Sequence, residues 1–138
     1  MLTQSRLKEL LTYDNETGDF TWLVDRNSGA YAGDIAGTLM NKGYVHIKID
    51  GSQYLGHRLA WLYVHGGMPK TLDHIDGNRI NNKIENLRPA SSFQNAQNAS
   101  IRSDNNSGYK GVGYHSPTNK WRARIRYMNK RISLGLFE

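Results

Sequence analysis

The chain has 138 residues, which is enough for one domain or two small ones with a modest hydrophobic core. It contains no cysteine, so a disulfide framework and a thiolate zinc site are excluded and a reducing cytoplasm is favoured. No segment approaches the roughly 20 apolar residues that cross a bilayer, and the first residues lack a signal-peptide profile, so we expect no membrane partner.

The positive charge is concentrated in the last quarter of the chain. Residues 101–138 contain eight of the 18 Lys and Arg residues but only two of the 12 Asp and Glu residues, so the formal net charge of +6 belongs to this segment. Such segregation is typical of a polyanion-binding module joined to a domain with another task. A basic tail that only keeps the chain soluble is the simpler alternative.

Turn signals and periodicity predict the elements of the first hundred residues. A short helix is predicted to run from its cap at Thr3 to about Thr12, and a turn rich in Asp and Gly then leads into a strand. Residues 43–56 predict a β-hairpin, because Asp50-Gly51 is a strong two-residue turn signal between β-rich runs. A short amphipathic helix is predicted over residues 57–65.

An asparagine-rich stretch, LDHIDGNRINNKIENLRPASSFQNAQN over residues 72–98, surrounds one Asp-His pair with six asparagines. It predicts a strand, a polar loop, a second strand and a short helix that opens with a capping box. Asp73 at the end of the first strand and Asn95 on the helix would offer two oxygens to one hard cation such as Mg²⁺. His74 beside them suits a general base, since imidazole titrates near neutrality. The other amides can hydrogen-bond an imidazole or the backbone without adding charge, which makes a rigid scaffold.

The same residues resemble a known nuclease family. The run HRLAWLYVHGGMPKTLDHIDGNRINNKIENLRPASSFQNAQN, with the spacing DHIDGN…NN…ENLR…N, is similar to the HNH endonucleases of phages and mobile introns, in the subgroup whose last histidine is replaced by asparagine. The resemblance covers roughly residues 43–98. It implies a ββα-metal motif at about 70–98 with an antiparallel sheet before it. It also implies hydrolysis of DNA phosphodiester bonds with one divalent cation, Mg²⁺, for which Mn²⁺ can substitute.

Carried over by position, the resemblance implies roles for four residues. His74 would be the general base that activates water. Asn86 would brace the loop and orient that histidine, as the middle asparagine of the family pattern. Asp73 and Asn95 would be the two metal ligands.

Simpler alternatives exist for several of these residues. A histidine on a short strand is often structural, Asp73 could only cap a turn, and Asn95 could be a surface amide, with Gln97 or Asn98 as the ligand instead. Arg58, near the start of the second predicted helix, could equally contact a phosphate or an internal carboxylate. The other polar residues of the loop are most simply turn formers: Asp76, Asn78, Asn81 and Asn82.

Residues 108–138 predict a second module of three short strands, at about 109–115, 120–128 and 131–137. In the middle strand three arginines alternate with apolar residues, so one face of the sheet carries three like charges: Arg122, Arg124 and Arg126. A narrow sheet can enter the major groove of DNA, where arginine binds phosphates or guanine edges. A solvated strand face is the alternative, but like charges at this spacing repel each other without a polyanion.

This module resembles the DNA-binding domain of plant ethylene-response factors, which phage HNH endonucleases often carry as an appendage. The resemblance lies in YKGV at 109–112, KWRARIR at 120–126 and LGLF at 134–137. It implies that the sheet reads the major groove of double-stranded DNA through five side chains: Lys110, His115, Arg124, Arg126 and Arg131.

The plant family follows the third strand with a helix that covers the apolar side of the sheet, and this chain reaches Glu138 at that point. We therefore expect either a truncated module or one that another surface shields, since a bare three-stranded sheet is only marginally stable. The uncovered apolar side is predicted to carry four side chains: Trp121, Ile125, Leu134 and Leu136.

Together these features predict an α+β protein. Residues 1–100 are predicted to form an HNH endonuclease domain, in which an antiparallel sheet precedes the ββα-metal motif; a linker at 101–107 and a partial three-stranded DNA-binding module at 108–138 follow. The expected activity is that of a metal-dependent endonuclease on double-stranded DNA, of the phage homing type, in the cytoplasm of a bacterial host. A catalytically inactive DNA-binding protein and an RNA-binding or structural module are the alternatives. Nicking or double-strand cutting, and monomer or dimer, stay open.

Overall fold

The computed structural model of the chain describes residues 1–26, 29–91, 94, 99, 101–127 and 130–138. The fold is α+β, as predicted, and the chain divides into two compact units, Met1–Asn95 and Ala96–Glu138. Residues 101–107, the predicted linker, lie in the second unit. None of the described helices has the length and apolar character that crossing a membrane requires.

The described part of the first unit contains two helices and eight short strands, arranged as three small antiparallel sheets. The sheets have the strand orders β1-β2-β3, β4-β5-β6 and β7-β8. The elements are α1 (Gln4–Leu10), β1 (Leu11–Tyr13), β2 (Phe20–Trp22), β3 (Ile35–Ala36), β4 (Thr38–Leu39), β5 (Val45–Ile49), β6 (Ser52–Leu55), α2 (Gly56–His65), β7 (Leu72–His74) and β8 (Leu87–Pro89), with a short 3₁₀ turn, Ile84–Asn86, before β8.

Helix α1 is capped as predicted but ends earlier than predicted. The hydroxyl of Thr3 accepts a hydrogen bond from the backbone N–H of Arg6 at 3.2 Å. Leu11 already has an extended backbone and begins β1, in which it lies opposite Trp22 of β2. The prediction that the helix reaches Thr12 is therefore wrong, because pairing with β2 and the β-branched Thr12 favour a strand there.

The predicted hairpin is confirmed, and it leads directly into α2. Asp50 and Gly51 have φ angles of +47° and +80°, so both central residues of the turn adopt the positive φ that a type I′ hairpin needs. On β5, Ile47 and Ile49 point into the core. Helix α2 ends at Gly66, whose φ of +72° is the left-handed conformation that suits a glycine cap.

One hydrophobic core lies beneath these elements. Its fully buried side chains come from α1, the first two sheets and α2, so they join elements that are far apart in the sequence. Leu72 of β7 and Leu87 of β8 belong to the same core. The two-stranded β7–β8 ribbon is thereby fixed to the rest of the unit, and it carries the Asp-His pair at its end.

The second unit contains the predicted three-stranded antiparallel sheet, and its strand order is β11-β10-β9. Its strands are β9 (Val112–His115), β10 (Lys120–Tyr127) and β11 (Lys130–Phe137), and a 3₁₀ turn, Ser116–Thr118, joins the first two. The pairing of β10 with β11 shifts by one residue between Ala123 and Arg124.

The shift corrects the predicted faces of the third strand. Trp121 lies opposite Phe137, and Ile125 lies opposite Ile132, so these four side chains share the apolar face. Leu136 lies opposite Arg122 and therefore belongs to the arginine face, while Leu134 is the extra residue at the bulge. The prediction that Leu136 lines the apolar face is wrong, because simple alternation along the strand does not anticipate a bulge.

Candidate active site

The β7–β8 ribbon places the Asp-His pair. Asp73 lies opposite Arg88 and His74 lies opposite Leu87. Because alternate residues of a strand face opposite sides, His74 turns toward the core, where it is 4% exposed, and Asp73 turns the other way. One carboxylate oxygen of Asp73 lies 3.4 Å from the Nη2 atom of Arg88, and the aspartate side chain is only 11% exposed.

Two side chains, Asp76 and Asn86, hold the loop between the two strands. One Asp76 oxygen accepts hydrogen bonds from the backbone N–H of Asn78 at 2.7 Å and from the Asn86 amide at 2.9 Å, and the other accepts from the Asn81 amide at 2.7 Å. These bonds, that of Asn81 first, hold the pKa of the Asp76 carboxyl below its usual value. The Asp76 carboxylate therefore stabilises the conformation of this loop.

Asn86 uses both ends of its amide on this loop. Its oxygen accepts from the backbone N–H of Asp76 at 3.1 Å, and its nitrogen also donates to the carbonyl of Asn81 at 2.9 Å. Its own carbonyl accepts from the backbone N–H of Ile75 at 2.8 Å. Asn86 therefore braces the turn that follows His74, which fixes the backbone at the end of β7.

The side chains of Asn82, His57 and Tyr44 lie around the ring of His74. Its Nε2 atom lies 3.1 Å from the side-chain oxygen of Asn82. The ring of His57 packs edge-on against it, with centroids 4.9 Å apart, and the ring of Tyr44 lies 6.2 Å away. The hydrogen bond and the two rings together restrict how the imidazole can turn.

His57, from the first turn of α2, is a second buried histidine at this site. Its pKa is lowered from 6.5 to about 4, first by burial and then by the nearby charges of His74, Arg58 and His46. At neutral pH it is therefore uncharged and packs against His74 as an aromatic neighbour.

Sequence reasoning missed the role of Asn82. We predicted a turn former, but the residue is 4% exposed and its side chain faces His74. Its backbone carbonyl accepts a hydrogen bond from the Tyr13 hydroxyl at 2.7 Å, and burial raises the pKa of that tyrosine to about 12. In the sequence, nothing distinguishes Asn82 from the half-buried Asn81 beside it, and only its packing separates the two.

The donor set for a metal ion is described only in part. Asp73 offers a hard carboxylate oxygen, which suits Mg²⁺. Asn95, the second predicted ligand, lies outside the described residues, as do Gln97 and Asn98. The capping box before them is confirmed, since the backbone N–H of Ser91 donates to the side chain of Gln94 at 2.8 Å and the reverse bond measures 3.2 Å. No group of three or more His, Cys, Asp or Glu side chains that could hold a metal occurs in the described part.

Arg58 does not contact an acidic side chain through any bond that we observe in the described part. Its Nη2 atom donates to the backbone carbonyl of Pro69 at 3.1 Å, which ties α2 to the segment before β7. This contact places the Arg58 guanidinium next to the segment that precedes Asp73 and His74.

The arginine face of the second unit gathers most of the other predicted residues. Because directly paired residues share a face, Arg131 lies on the side of Arg126, and His115 lies on the side of Lys120. On β9, Gly113 lies opposite Arg122 and adds no side chain to this face. The Nε atom of Arg122 is buried and makes no hydrogen bond with the described residues.

Like charges crowd one another on this face. The pKa of Arg124 is lowered, first by the positive charge of Arg122, then by burial and by Arg131. Lys110, also predicted to bind DNA, lies before β9 and lines a cleft of about 720 Å³ together with Arg124 and Trp121. The face therefore concentrates positive charge beside a cleft.

Comparisons with known proteins agree with the pattern around His74. Residues 54–97 match the family model described as HNH endonuclease. Protein 3.8 of Escherichia phage T7 is 34% identical over 77 residues, which are 54% of this chain and 64% of that protein. YosQ of Bacillus subtilis (strain 168), an SPbeta prophage-derived protein named as an HNH homing endonuclease, is 39% identical over 59 residues, which are 41% of this chain and 34% of YosQ.

A solved structure is also similar to part of the chain. A structure of DNA binding and cleavage by the HNH homing endonuclease I-HmuI shares 26% sequence identity with this chain. The TM-score is 0.48, and the match covers 64% of this chain and 51% of that one. This chain spans less than two thirds of the length of each of these three proteins. The plant-type DNA-binding domain predicted for the C-terminal residues is named in none of these matches.

Proposed function

We propose that this chain is a metal-dependent endonuclease that hydrolyses phosphodiester bonds of double-stranded DNA. The observation that carries the proposal is the buried His74 beside Asp73 at the end of a braced β-ribbon. This ribbon lies inside the segment that matches the HNH endonuclease family model.

In this proposal His74 is the general base. Its ring is held by Asn82 and by the rings of His57 and Tyr44, so little freedom is lost when it accepts a proton from an attacking water. A positioned base of this kind contributes roughly 10²–10⁴ in rate. Asn86 supports it by fixing the turn that begins at the next residue.

Asp73 and Asn95 would hold one divalent cation, Mg²⁺ with Mn²⁺ as a substitute. The cation would stabilise the charge that develops on the scissile phosphate and on the departing 3′ oxygen. The Asp73 carboxylate suits this task, because it is a hard oxygen donor with limited exposure. Arg88 then adds a fixed positive charge beside it.

Cationic side chains would hold the DNA. In the second unit the crowding of Arg122, Arg124 and Arg131 is relieved when a phosphate backbone supplies counter-charge. The full proposed set is Arg58, Lys110, His115, Arg122, Arg124, Arg126 and Arg131. Their contribution is to affinity and register, while the chemistry stays with the first unit.

The test is incubation of supercoiled plasmid with the wild-type chain, with and without Mg²⁺ or Mn²⁺. We expect cation-dependent nicked or linear product, and a loss of about 10²-fold or more in cleavage rate for His74→Ala with DNA affinity retained. His65→Ala is the matched control, because His65 packs on Trp61 at the end of α2.

Two results would contradict the proposal. Wild-type chain that binds duplex DNA but leaves it intact in both cations would indicate a catalytically inactive DNA-binding protein. Cleavage by His74→Ala at the wild-type rate would show that His74 is not the general base.

A further inference from the structure

The side chain of Asn82 makes a buried hydrogen bond to the proposed base. Its Oδ1 atom and the Nε2 atom of His74 are 3.1 Å apart, and both residues are 4% exposed. A hydrogen bond in such a place does not compete with water, so it orients its partners more firmly than one at the surface. An amide oxygen can only accept, so Nε2 must be the nitrogen that carries the proton.

The surroundings of Asn82 fix its position from three sides. Tyr13 donates its hydroxyl to the Asn82 carbonyl at 2.7 Å. A Cβ atom at Gly18 would lie 2.8 Å from the Asn82 carbonyl carbon and 2.6 Å from the backbone nitrogen of Lys83, so only glycine lets that turn approach so closely. A Cβ atom at Gly56 would lie 2.9 Å from the amide nitrogen of Asn82. Two distant parts of the chain, the β1–β2 turn and the start of α2, thus close around one asparagine.

We propose that Asn82 is a positioning residue that sets the tautomer of His74. This inference rests on the proposed nuclease function. With Nε2 protonated, the lone pair of the neutral ring lies on Nδ1, so the hydrogen bond to Asn82 decides which ring nitrogen is basic.

The direct test reads the two ring nitrogens of His74 by ¹⁵N NMR on the full chain. In the wild type we expect the Nε2–H tautomer. Asn82→Leu keeps a similar volume but removes the acceptor, and we expect it to shift the ring to a mixture of tautomers or to Nδ1–H. Asn82→Asp restores an accepting oxygen, and we expect the Nε2–H tautomer to return.

Kinetics supply the second readout. For Asn82→Leu at saturating Mg²⁺ we expect kcat to fall roughly 10–100-fold, as for other residues that orient a functional side chain, with KM changed by less than about twofold. Asn82→Asp should recover about tenfold of that loss. Tyr13→Phe removes only the bond to the Asn82 carbonyl, so it should lower kcat in the same direction but less, and it serves if Asn82→Leu does not fold.

A stability control separates positioning from general weakening. Ile49→Ala removes part of a fully buried core side chain on β5 and should lower the unfolding midpoint while leaving kcat below the transition and the His74 tautomer unchanged. An unchanged tautomer in Asn82→Leu would overturn the inference, even in an active nuclease. A wild type that does not cleave DNA would overturn the proposed function instead, while the NMR result would still decide whether Asn82 sets the tautomer.

Discussion

Two polar regions of the molecule treat their charges in opposite ways. In the β7–β8 loop the carboxylate of Asp76 accepts three hydrogen bonds from its own loop, and both ends of the Asn86 amide are used there as well. On the arginine face of the second unit, Arg122 and Arg131 lower the pKa of Arg124 by repulsion. Polar groups that satisfy one another hold fixed positions, whereas a region of crowded like charges attracts an anion.

The apolar residues of the two units differ in the same sense. Among the described residues, every buried apolar side chain of the core belongs to the first unit. In the second unit the apolar face leaves Phe137 52% exposed, and its pairing partner Trp121 is half-buried. The first unit can therefore hold atoms at fixed positions, while the second depends more on its hydrogen-bonded strands.

The largest effect that would sharpen this comparison is expected from a pair of matched phenylalanine substitutions. Phe20→Ala empties a site that is 2% exposed in the core and should cost about 3–5 kcal/mol of the stability of the first unit. Phe137→Ala should cost less than about 1 kcal/mol, because little burial is removed. Native-state hydrogen exchange on the full chain measures both, and equal costs would show that the two units are packed alike.

An intermediate effect is expected on acidification, through His57. Its pKa is about 4 in the folded chain against an ordinary 6.5, so between these values the unfolded chain binds a proton that the folded chain does not. The free energy of unfolding should therefore fall as the pH drops from 6.5 to 4, by up to about 1.4 kcal/mol per pH unit from this group, and its contribution should be constant above that range.

Urea unfolding across this pH range measures the effect. His57→Gln, which cannot titrate, should show a smaller slope by about one proton. If the variant and the wild type lose stability in parallel, the buried histidine is not the source.

The substitution expected to change the free energy of unfolding least lies on the arginine face, and it should clearly change DNA binding. Arg124→Ala should change stability by less than about 0.5 kcal/mol, because it relieves repulsion from Arg122 and Arg131. It should make duplex binding less dependent on salt, with the slope of log K against log[salt] reduced by roughly 0.9 for each phosphate that the sheet no longer neutralises. Fluorescence anisotropy at several salt concentrations measures this.

Arg6→Ala is the matched removal of one positive charge, since Arg6 is exposed and already paired with Glu9 and Asp50. Its salt slope should equal that of the wild type. An equal drop in both variants would mean that net charge, and not the sheet face, governs binding.

Much of the local structure could be predicted because its signals are local. Asp50-Gly51 demanded a type I′ turn, Gly66 ended α2, and Ser91 with Gln94 formed the predicted capping box. Strands of two or three residues, such as Ile35–Ala36, are too short to show the alternation of polar and apolar residues by which a strand is detected. Their position depends on pairing with strands elsewhere in the chain.

The candidate site shows the same division between local and distant causes. The Asp73-His74 pair and the bracing loop residue Asn86 follow from spacing within a short segment. The burial of Asn82 follows from Tyr13, Gly18 and Gly56, which no pattern within that segment contains. Similarly, Gly135 in β11 was the one sequence signal for the bulge that turned Leu136 to the arginine face.

The close approach of Gly18 to the loop has a consequence for dissecting this protein. The segment that matches the family model, residues 54–97, contains neither Gly18 nor Tyr13. An excised peptide of that segment would keep His74 and Asn82 but lose the residues that pack against Asn82. For the proposed nuclease function, the smallest active fragment should therefore include the turn at Gly18, although that turn contacts no substrate atom in the proposed reaction.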